Sequence, residues 1–395
     1  MKFNKLKNAL DSIIETYGTP GVDCIVYKEH KEIFRYFSGV SDIENKKEIN
    51  GNELYIIFSM TKMITCTCAL QLFEQGKFAM DDPISKYLPE FERMSITNDA
   101  LDGEKALEIS SGKTYGESTS SSLDGYAKNP ITVKDLFTMG AGLDYDLSAT
   151  GIKEAIANGK TSTRELVGAL SKTILGFEPG TRFRYSLCHD VLGALIEIWS
   201  GLSFGEYLKK NLTDPLEMND TFFGVPKDEK RLSRMAQRYK FDASGKPELL
   251  PLACPYNISD DYQSGGAGLI SSTSDYATFL DALANGGIGK NGRKILDPSS
   301  VELMRTNHLK GKQRDDFDNL RHGYGYGLGV RTHIDPKRSG SLSPVGEFGW
   351  DGAAGAFSMV DVENKLSLSY FQSVHGWNIA IQNLLKNALY QSLSD

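Results

Sequence analysis

Ser59 and Lys62 are the two residues of this chain whose types and spacing could do covalent chemistry. They follow the apolar stretch 54–58 and open a helical pattern. Residues three apart on a helix share a face, with Cβ atoms about 5–6 Å apart, so the lysine amine could take the serine proton. Burial lowers the pKa of a lysine, which would make Lys62 a base near neutral pH. An alkoxide on Ser59 would also be stabilised by the positive end of the helix dipole.

A second serine–lysine pair with the same spacing, Ser110 and Lys113, lies in the segment 103–129. This segment is polar and rich in serine and glycine, and it gives the pair no apolar context. Long segments of this kind are either solvated loops or flaps over a functional site. We therefore set this pair aside and keep open whether 103–129 covers the site.

Ser203 is a third candidate nucleophile because it lies in a G-x-S-x-G pattern typical of esterases. That pattern requires a strand before the serine and a helix after it, whereas here a helix precedes the serine. Ser203 and Glu206 instead have the spacing of a capping box that opens the next helix. The sequence therefore favours Ser59 as the nucleophile.

A serine–lysine hydrolase also needs a proton carrier for the leaving group and two N–H donors for the oxyanion. Tyr185, at a predicted loop–helix junction, could share a proton with Lys62 and pass it to the leaving group. The N–H of Ser59 could be one oxyanion donor. The predicted strand 346–354 is rich in glycine, which lets a substrate approach the backbone closely, and it could supply the other.

The elements that must position these residues predict an α+β fold. An amphipathic helix begins the chain, and its charged positions distinguish it from a secretory signal. The periodicities then predict two N-terminal strands at 22–28 and 32–38 and a helix at 60–75 that follows Ser59 and ends at Gly76. Two further helices follow, one at 131–137 with a cap near Thr132 and a long one at 190–199. The last predicted elements are three C-terminal strands at 346–354, 356–362 and 365–372 and a final helix at 379–389.

The simplest arrangement of these elements is one antiparallel sheet built from both ends of the chain. The terminal helices would cover one face of this sheet. Residues 1–76 and 263–395 would then form a discontinuous sheet domain, and residues 77–262 would form an inserted helical lobe.

Composition and charge exclude several classes of function. The chain has 395 residues, 40% hydrophobic and 24% charged, which is typical of a soluble globular protein. Its net charge of -7 argues against a nucleic-acid partner. Its apolar runs are too short for a membrane span.

Metal and cofactor chemistry has no support in the sequence. The five cysteines have no metal-site spacing, and the six histidines have no zinc-site context. The glycine-rich turn 263–269 lacks the G-x-G-x-x-G spacing of nucleotide-binding loops. We expect reduced cysteines, a cytoplasmic location and no metal or other cofactor.

Three motifs together resemble those of the serine β-lactamase and penicillin-binding superfamily. They are Ser59-Met60-Thr61-Lys62, Tyr185-Ser186-Leu187 and Trp350-Asp351-Gly352, in the order and spacing of that superfamily. The chain is most similar to the class C-related branch, and within it to family VIII carboxylesterases and related acyltransferases. The resemblance covers nearly the whole chain and implies a two-lobed fold with the active site between the lobes.

The resemblance implies a role for each motif. Ser59 would be the acylated nucleophile, and Lys62 with Tyr185 would form the general base and acid. The backbone N–H groups of Ser59 and Ala353 would form the oxyanion hole. Trp350, followed by Asp351 and Gly352, would contact the substrate.

Two departures from the superfamily pattern bear on the substrate. Leu187 stands where the β-lactamases and peptidases usually have asparagine, and Trp350-Asp351-Gly352 stands where they usually have Lys-Thr-Gly. Asp351 would repel a substrate carboxylate if it faced the cleft. These changes favour an esterase that acts on small-molecule esters through an acyl-enzyme, with water or an alcohol as acceptor. A β-lactamase or D-amino acid peptidase, and a non-catalytic binding or sensor module on the same fold, stay open as alternatives.

Overall fold

The computed structural model describes residues 3–96, 125–376 and 378–394. Its centre is an antiparallel sheet of eight strands, in the order Tyr324–Tyr326, Arg331–His333, Phe348–Gly349, Phe357–Asp361, Leu366–Phe371, Gly21–Lys28, Lys31–Asp42 and Lys47–Glu48. Strands from the two ends of the chain lie side by side, with Asp23 opposite Phe371. The predicted α+β fold is confirmed.

The predicted N-terminal strands form a hairpin between Gly21–Lys28 and Lys31–Asp42. Glu29 and His30 make its two-residue turn, and both have the positive φ angles, 49° and 65°, that such a turn requires. The first strand is buried along most of its length because the sheet is covered on both faces there.

The sheet has more strands than the sequence predicts, and one predicted strand is much shorter. Its edge strands have only two or three residues, too few to show an alternating pattern. In the segment 346–354 only Phe348–Gly349 joins the ladder. A Cβ on Gly349 would lie 2.2 Å from the carbonyl oxygen of Ser358, so this strand can approach its neighbour only with glycine at that position.

The two terminal helices, Asn4–Tyr17 and Ile379–Leu393, pack together on one face of the sheet, as predicted. The apolar side chains of both helices share one cluster with the central strands. The N–H of Leu6 also donates to the hydroxyl of Ser392 over 3.3 Å. The helices therefore fix the ends of the chain to the middle of the sheet.

The opposite face of the sheet is covered by the helix Thr273–Ala284. The helix Thr61–Glu74, buried from Thr61 to Leu72, packs against the lobe helix Cys188–Ser200. Among the described residues, the other α-helices of five or more residues are Val133–Phe137, Thr150–Ala157, Thr163–Ala169, Phe204–Leu208, Pro298–Arg305 and Gly311–Leu320. The shorter ones are Asp214–Leu216, Glu229–Leu232 and Pro336–Ser339.

The capping boxes predicted at the starts of two lobe helices are present. The Thr132 and Ser203 side chains each accept a backbone N–H, and Asp135 and Glu206 return the bond. Ser203 is therefore a helix cap and not part of a strand–turn–helix nucleophile.

The inserted lobe is mostly, but not entirely, helical. It contains two short two-stranded sheets, Ser95–Ile96 with Gly125–Tyr126 and Arg238–Phe241 with Pro247–Leu250. A three-stranded sheet joins it to the rest of the molecule through Tyr55–Ile56, Leu269–Ser271 and Phe222–Phe223. Since this sheet includes a lobe strand, the domain division at 262 stays a prediction.

Residues 97–124, which include Ser110, Lys113 and most of the segment 103–129, lie outside the described residues. Among the residues that are described, no helix is both long enough and apolar enough to cross a lipid bilayer.

Candidate active site

Ser59 lies in a single 3₁₀ turn, Phe58–Met60, between the strand Tyr55–Ile56 and the helix Thr61–Glu74. Its side chain is half-buried. The preceding residue, Phe58, has a φ of 46°, a left-handed conformation that costs a non-glycine residue about 1–3 kcal/mol. The Arg238 guanidinium packs over the Phe58 ring, 4.9 Å from its centroid, and holds it in place. The strained turn presents the serine at the start of the helix.

Lys62 is fully buried, one helical turn after Ser59. Its Nζ lies 3.5 Å from the Ser59 Oγ, 3.3 Å from the Tyr145 hydroxyl and 2.7 Å from the Gly266 carbonyl oxygen. Burial lowers the pKa of Lys62 to about 7, against the opposing charge of Asp190. A substantial share of this amine is therefore neutral at physiological pH, and the predicted geometry of the pair is present.

Tyr185 approaches the same point from the loop before the helix Cys188–Ser200. The Lys62 Nζ lies 4.4 Å from the centroid of its ring. Burial raises the pKa of Tyr185, and hydrogen bonds with Ser59 and Trp350 partly oppose this. The phenol is thus protonated at neutral pH and bonded to the serine, so it can donate a proton beside the Ser59 hydroxyl.

Trp350 and Asp351 are both buried. The Trp350 indole stacks on Tyr185 with 5.7 Å between ring centroids, and its Nε1–H donates to the Tyr185 hydroxyl over 3.2 Å. The Asp351 carboxylate forms a buried ion pair with Arg321, whose guanidinium also packs over the Trp350 ring. Asp351 thus has a cationic partner inside the protein, a situation that the sequence did not reveal.

Gly352 and Ala353 bring a second backbone segment to the turn that carries Ser59. A Cβ on Gly352 would lie 2.5 Å from the Ile57 carbonyl oxygen, so only glycine permits this approach. The Gly352 carbonyl, which shares a peptide plane with the Ala353 N–H, accepts the N–H of Gly355 over 2.9 Å, and this fixes the orientation of that plane. Within the described part of the chain, neither the Ser59 N–H nor the Ala353 N–H donates to a protein acceptor. Two donors with these properties are what an oxyanion hole requires.

A comparison with protein families identifies the fold. The model of the family described as Beta-lactamase matches residues 6–383. The chain belongs to the Beta-lactamase family. The superfamily resemblance drawn from the three motifs is thereby confirmed.

This Beta-lactamase family member is also similar to individual proteins over most of its length. The protein Rv1367c of Mycobacterium tuberculosis is 29% identical over 89% of this chain and 84% of its own length. Esterase EstB of Burkholderia gladioli is 25% identical over 99% of this chain and 91% of its own length. Among solved structures, a mutant of simvastatin synthase from Aspergillus terreus has a TM-score of 0.78 at 20% identity and covers 99% of this chain and 97% of its own.

Tyr145 also belongs to the candidate site, although no sequence motif pointed to it. Besides its bond to Lys62, its ring lies parallel to Tyr185 with 5.6 Å between centroids and meets the edge of Tyr256 at 5.4 Å. Tyr145 lies in the loop that follows the helix Val133–Phe137, and an aromatic residue in that loop was the one available signal. Which of the 18 tyrosines reaches the lysine depends on tertiary packing.

Gly266 is the second residue that was missed. It lies in the glycine-rich turn 263–269, which makes a close approach to the helix that carries Lys62. The carbonyls of this turn accept hydrogen bonds from Lys62 and, through Gly265, from Thr65 over 2.7 Å each. A backbone carbonyl has no side-chain signature, so its role could not be found from residue types.

Proposed function

We propose that this protein is a serine carboxylesterase that forms an acyl-enzyme on Ser59. The observation that carries the proposal is the buried Lys62 amine, 3.5 Å from the Ser59 Oγ and with its pKa lowered to about 7. A tyrosine bonded to the same serine completes the proton path. Relatives named as an esterase and as acyltransferases support an ester substrate.

In the acylation step, the Ser59 Oγ attacks the ester carbonyl carbon and its proton passes to the neutral Lys62 Nζ. The carbonyl oxygen becomes an oxyanion that the N–H groups of Ser59 and Ala353 stabilise. When the intermediate collapses, the bond from carbon to the alcohol oxygen breaks and Tyr185 gives its proton to that oxygen. The Lys62 ammonium then restores the Tyr185 proton, which returns both groups to their starting states.

Deacylation is the reverse sequence with a different nucleophile. Water or an alcohol gives its proton through Tyr185 to Lys62 and attacks the acyl carbon, and Ser59 leaves with a proton. Hydrolysis and acyl transfer therefore use the same residues. The acceptor that fits the cleft decides between them.

The third motif supports esters over β-lactams and peptides with a free carboxylate. It presents the Trp350 indole, held against Tyr185, where a cationic residue would pair with such a carboxylate. The neighbouring charge of Arg321 is already paired with Asp351. Leu187, at the third position of the second motif, is buried. None of these three residues therefore offers a free positive charge to a substrate carboxylate.

The test is a mass-spectrometric trap of the acyl-enzyme over a panel of aryl esters, thioesters, anilides and a chromogenic cephalosporin. We expect the acyl mass on the peptide that carries Ser59 and turnover that is fastest with short-chain aryl esters. The Ser59→Ala variant should lose both. Ser203→Ala, which removes only the helix cap, is the matched control and should keep both.

The proposal fails if Ser59→Ala retains ester turnover. Faster turnover of the cephalosporin than of any ester would favour the β-lactamase reading. Labelling of Ser59 without turnover of any substrate would favour a binding or sensor protein. We also propose a cytoplasmic location, which the five unpaired, buried cysteines support.

A further inference from the structure

A fully buried carboxylate, Asp190, lies in the first turn of the helix Cys188–Ser200, close to the proposed base. Its Oδ1 accepts hydrogen bonds from the Tyr262 hydroxyl over 2.9 Å and from the Ser264 hydroxyl over 2.6 Å. Its Oδ2 is buried, makes no side-chain hydrogen bond among the described residues and has the backbone N–H of Gly266 as its nearest donor. A fully buried carboxylate is costly unless its charge is compensated, which points to a cation nearby.

That charge is Lys62. A Cβ on Gly266 would lie 2.5 Å from the Asp190 Oδ2 and 3.4 Å from the Lys62 Nζ, so both groups lie close to the Cα of this glycine. The carbonyl of the same glycine accepts the Lys62 N–H over 2.7 Å. Because Gly266 has no side chain, none separates the carboxylate from the amine at this point.

We propose that Asp190 is a positioning residue of the active site, whose carboxylate is the fixed counter-charge of the Lys62 ammonium. This inference rests on the proposed role of Lys62 as the base. When Lys62 takes the Ser59 proton it becomes an ammonium in a fully buried place, and an anion already fixed beside it stabilises that charge. Tyr262 and Ser264 hold the anion still while the proton moves.

The other ionisable groups that face Lys62 do not supply this charge. Burial holds the pKa of the Cys66 thiol well above its usual range and raises that of Cys188 to about 12, so both thiols are neutral. Burial also raises the pKa of Tyr145 and Tyr185, and it lowers that of His189 to about 3, which keeps these rings uncharged.

Asp351 is the remaining carboxylate that acts on Lys62, and it is paired with Arg321. On the far side of Asp190, burial holds the pKa of Tyr262 well above its usual range, so that hydroxyl is a neutral donor. Burial also raises the pKa of Asp190 itself, while the bond from Ser264 and the charge of Lys62 oppose this rise. The pair Lys62 and Asp190 therefore titrates as a coupled system.

The test is the pH dependence of the acylation rate in Asp190→Asn, which keeps the shape and removes the charge. Without the anion, Lys62 loses its proton more readily, so the acidic limb of the profile should move about one pH unit lower. The plateau rate should fall about tenfold because the ammonium formed during acylation is less stabilised. A purely structural role would lower the plateau without moving the limb.

Two further variants make the test specific. Asp281→Asn changes another fully buried carboxylate, which contacts His30 at 2.8 Å and lies on a different helix, so the limb should stay in place. Tyr262→Phe keeps the anion but removes one of its donors, and should move the limb in the same direction by a smaller amount. This milder change also serves if Asp190→Asn does not fold.

An unmoved limb in Asp190→Asn, or in Tyr262→Phe when the first variant does not fold, overturns the inference. So does a limb that moves to higher pH. The acyl mass on Ser59 is measured in each variant. If the wild-type protein forms no acyl-enzyme, the proposed function itself fails, whereas an acyl-enzyme with an unmoved limb removes only the role of Asp190.

Discussion

The indole N–H of Trp350 donates to the hydroxyl oxygen of Tyr185 across 3.2 Å. This bond occupies a lone pair of the phenol and leaves the phenol proton free to face Ser59. It also joins the third sequence motif to the second, so that a residue expected to contact substrate also orients the proposed proton donor.

Replacement of Trp350 by phenylalanine should therefore lower kcat for ester hydrolysis about tenfold, the value of one hydrogen bond of about 1.4 kcal/mol. Steady-state kinetics with an aryl ester would measure this. Trp199→Phe is the matched control, since that indole stacks on Phe78 at 4.0 Å and its buried N–H has no partner among the described residues. Equal losses in the two variants would show that the Trp350 bond has no special effect.

Loss of the Tyr145 hydroxyl removes one of the partners of Lys62. We expect Tyr145→Phe to reduce kcat about tenfold, because the amine is then held less firmly. Tyr256→Phe is the control, since that ring meets Tyr145 edge-on at 5.4 Å but its hydroxyl has no hydrogen bond within the described residues. Activity that survives intact in Tyr145→Phe would remove this tyrosine from the proton path.

The acylation rate should rise with pH through about 7 and then level off. Only the neutral form of Lys62 can accept the Ser59 proton. Burial lowers the pKa of Lys62 to about 7, so the neutral amine predominates above that pH and disappears below it. Lys62→Arg should lose at least about a hundredfold in rate at every pH, because a guanidinium does not release its proton.

Lys386 provides the control for that profile. Burial lowers its pKa to about 7 as well, but it lies against Glu347 at 3.8 Å and not against Ser59. Lys386→Gln should keep the limb where it is in the wild-type protein. If the limb disappears with Lys386 and remains with Lys62→Arg, the base has been assigned to the wrong lysine.

Removal of Arg321 should destabilise the protein more than removal of an exposed arginine. Arg321→Gln leaves Asp351 as a buried charge without this partner, at a cost of about 3–5 kcal/mol in the free energy of unfolding. The double variant with Asp351→Asn should recover most of that loss. Arg338→Gln breaks a half-exposed pair with Asp318 and should cost less than about 1 kcal/mol. Urea denaturation would measure all three, and a double variant as unstable as the single one would contradict the ion-pair explanation.

The spacing of residues along the sequence predicted those parts of the site that lie within a single helix or strand. Ser59 and Lys62 meet because one helical turn brings them together, and the end of that helix at Gly76, with a φ of 68°, follows from glycine at this position. The hairpin and the terminal helices were likewise visible as periodic patterns. Motif order then grouped Tyr185 with Ser59, and Trp350 with Tyr185.

Contacts between distant elements were not predictable in this way. The partner of Asp351 lies 30 residues earlier in a region without a motif. Asp190 has no sequence feature beyond its place near the start of a helix, and its proposed role depends on Gly266, a glycine in another segment. The edge strands contain too few residues to show a period, so tertiary pairing alone creates them.

The strand Leu366–Phe371 lies in the middle of the sheet, between a neighbour made just before it and one made near the start of the chain. On the ribosome, the strand Gly21–Lys28 must therefore wait for almost the whole protein before its central partner emerges. The lobe helices, whose contacts are nearer in sequence, can form in the meantime. A nascent chain stopped before residue 366 would carry Ser59 and Lys62 but lack the sheet that supports them. We therefore expect the candidate site to become complete in a single step near the end of synthesis.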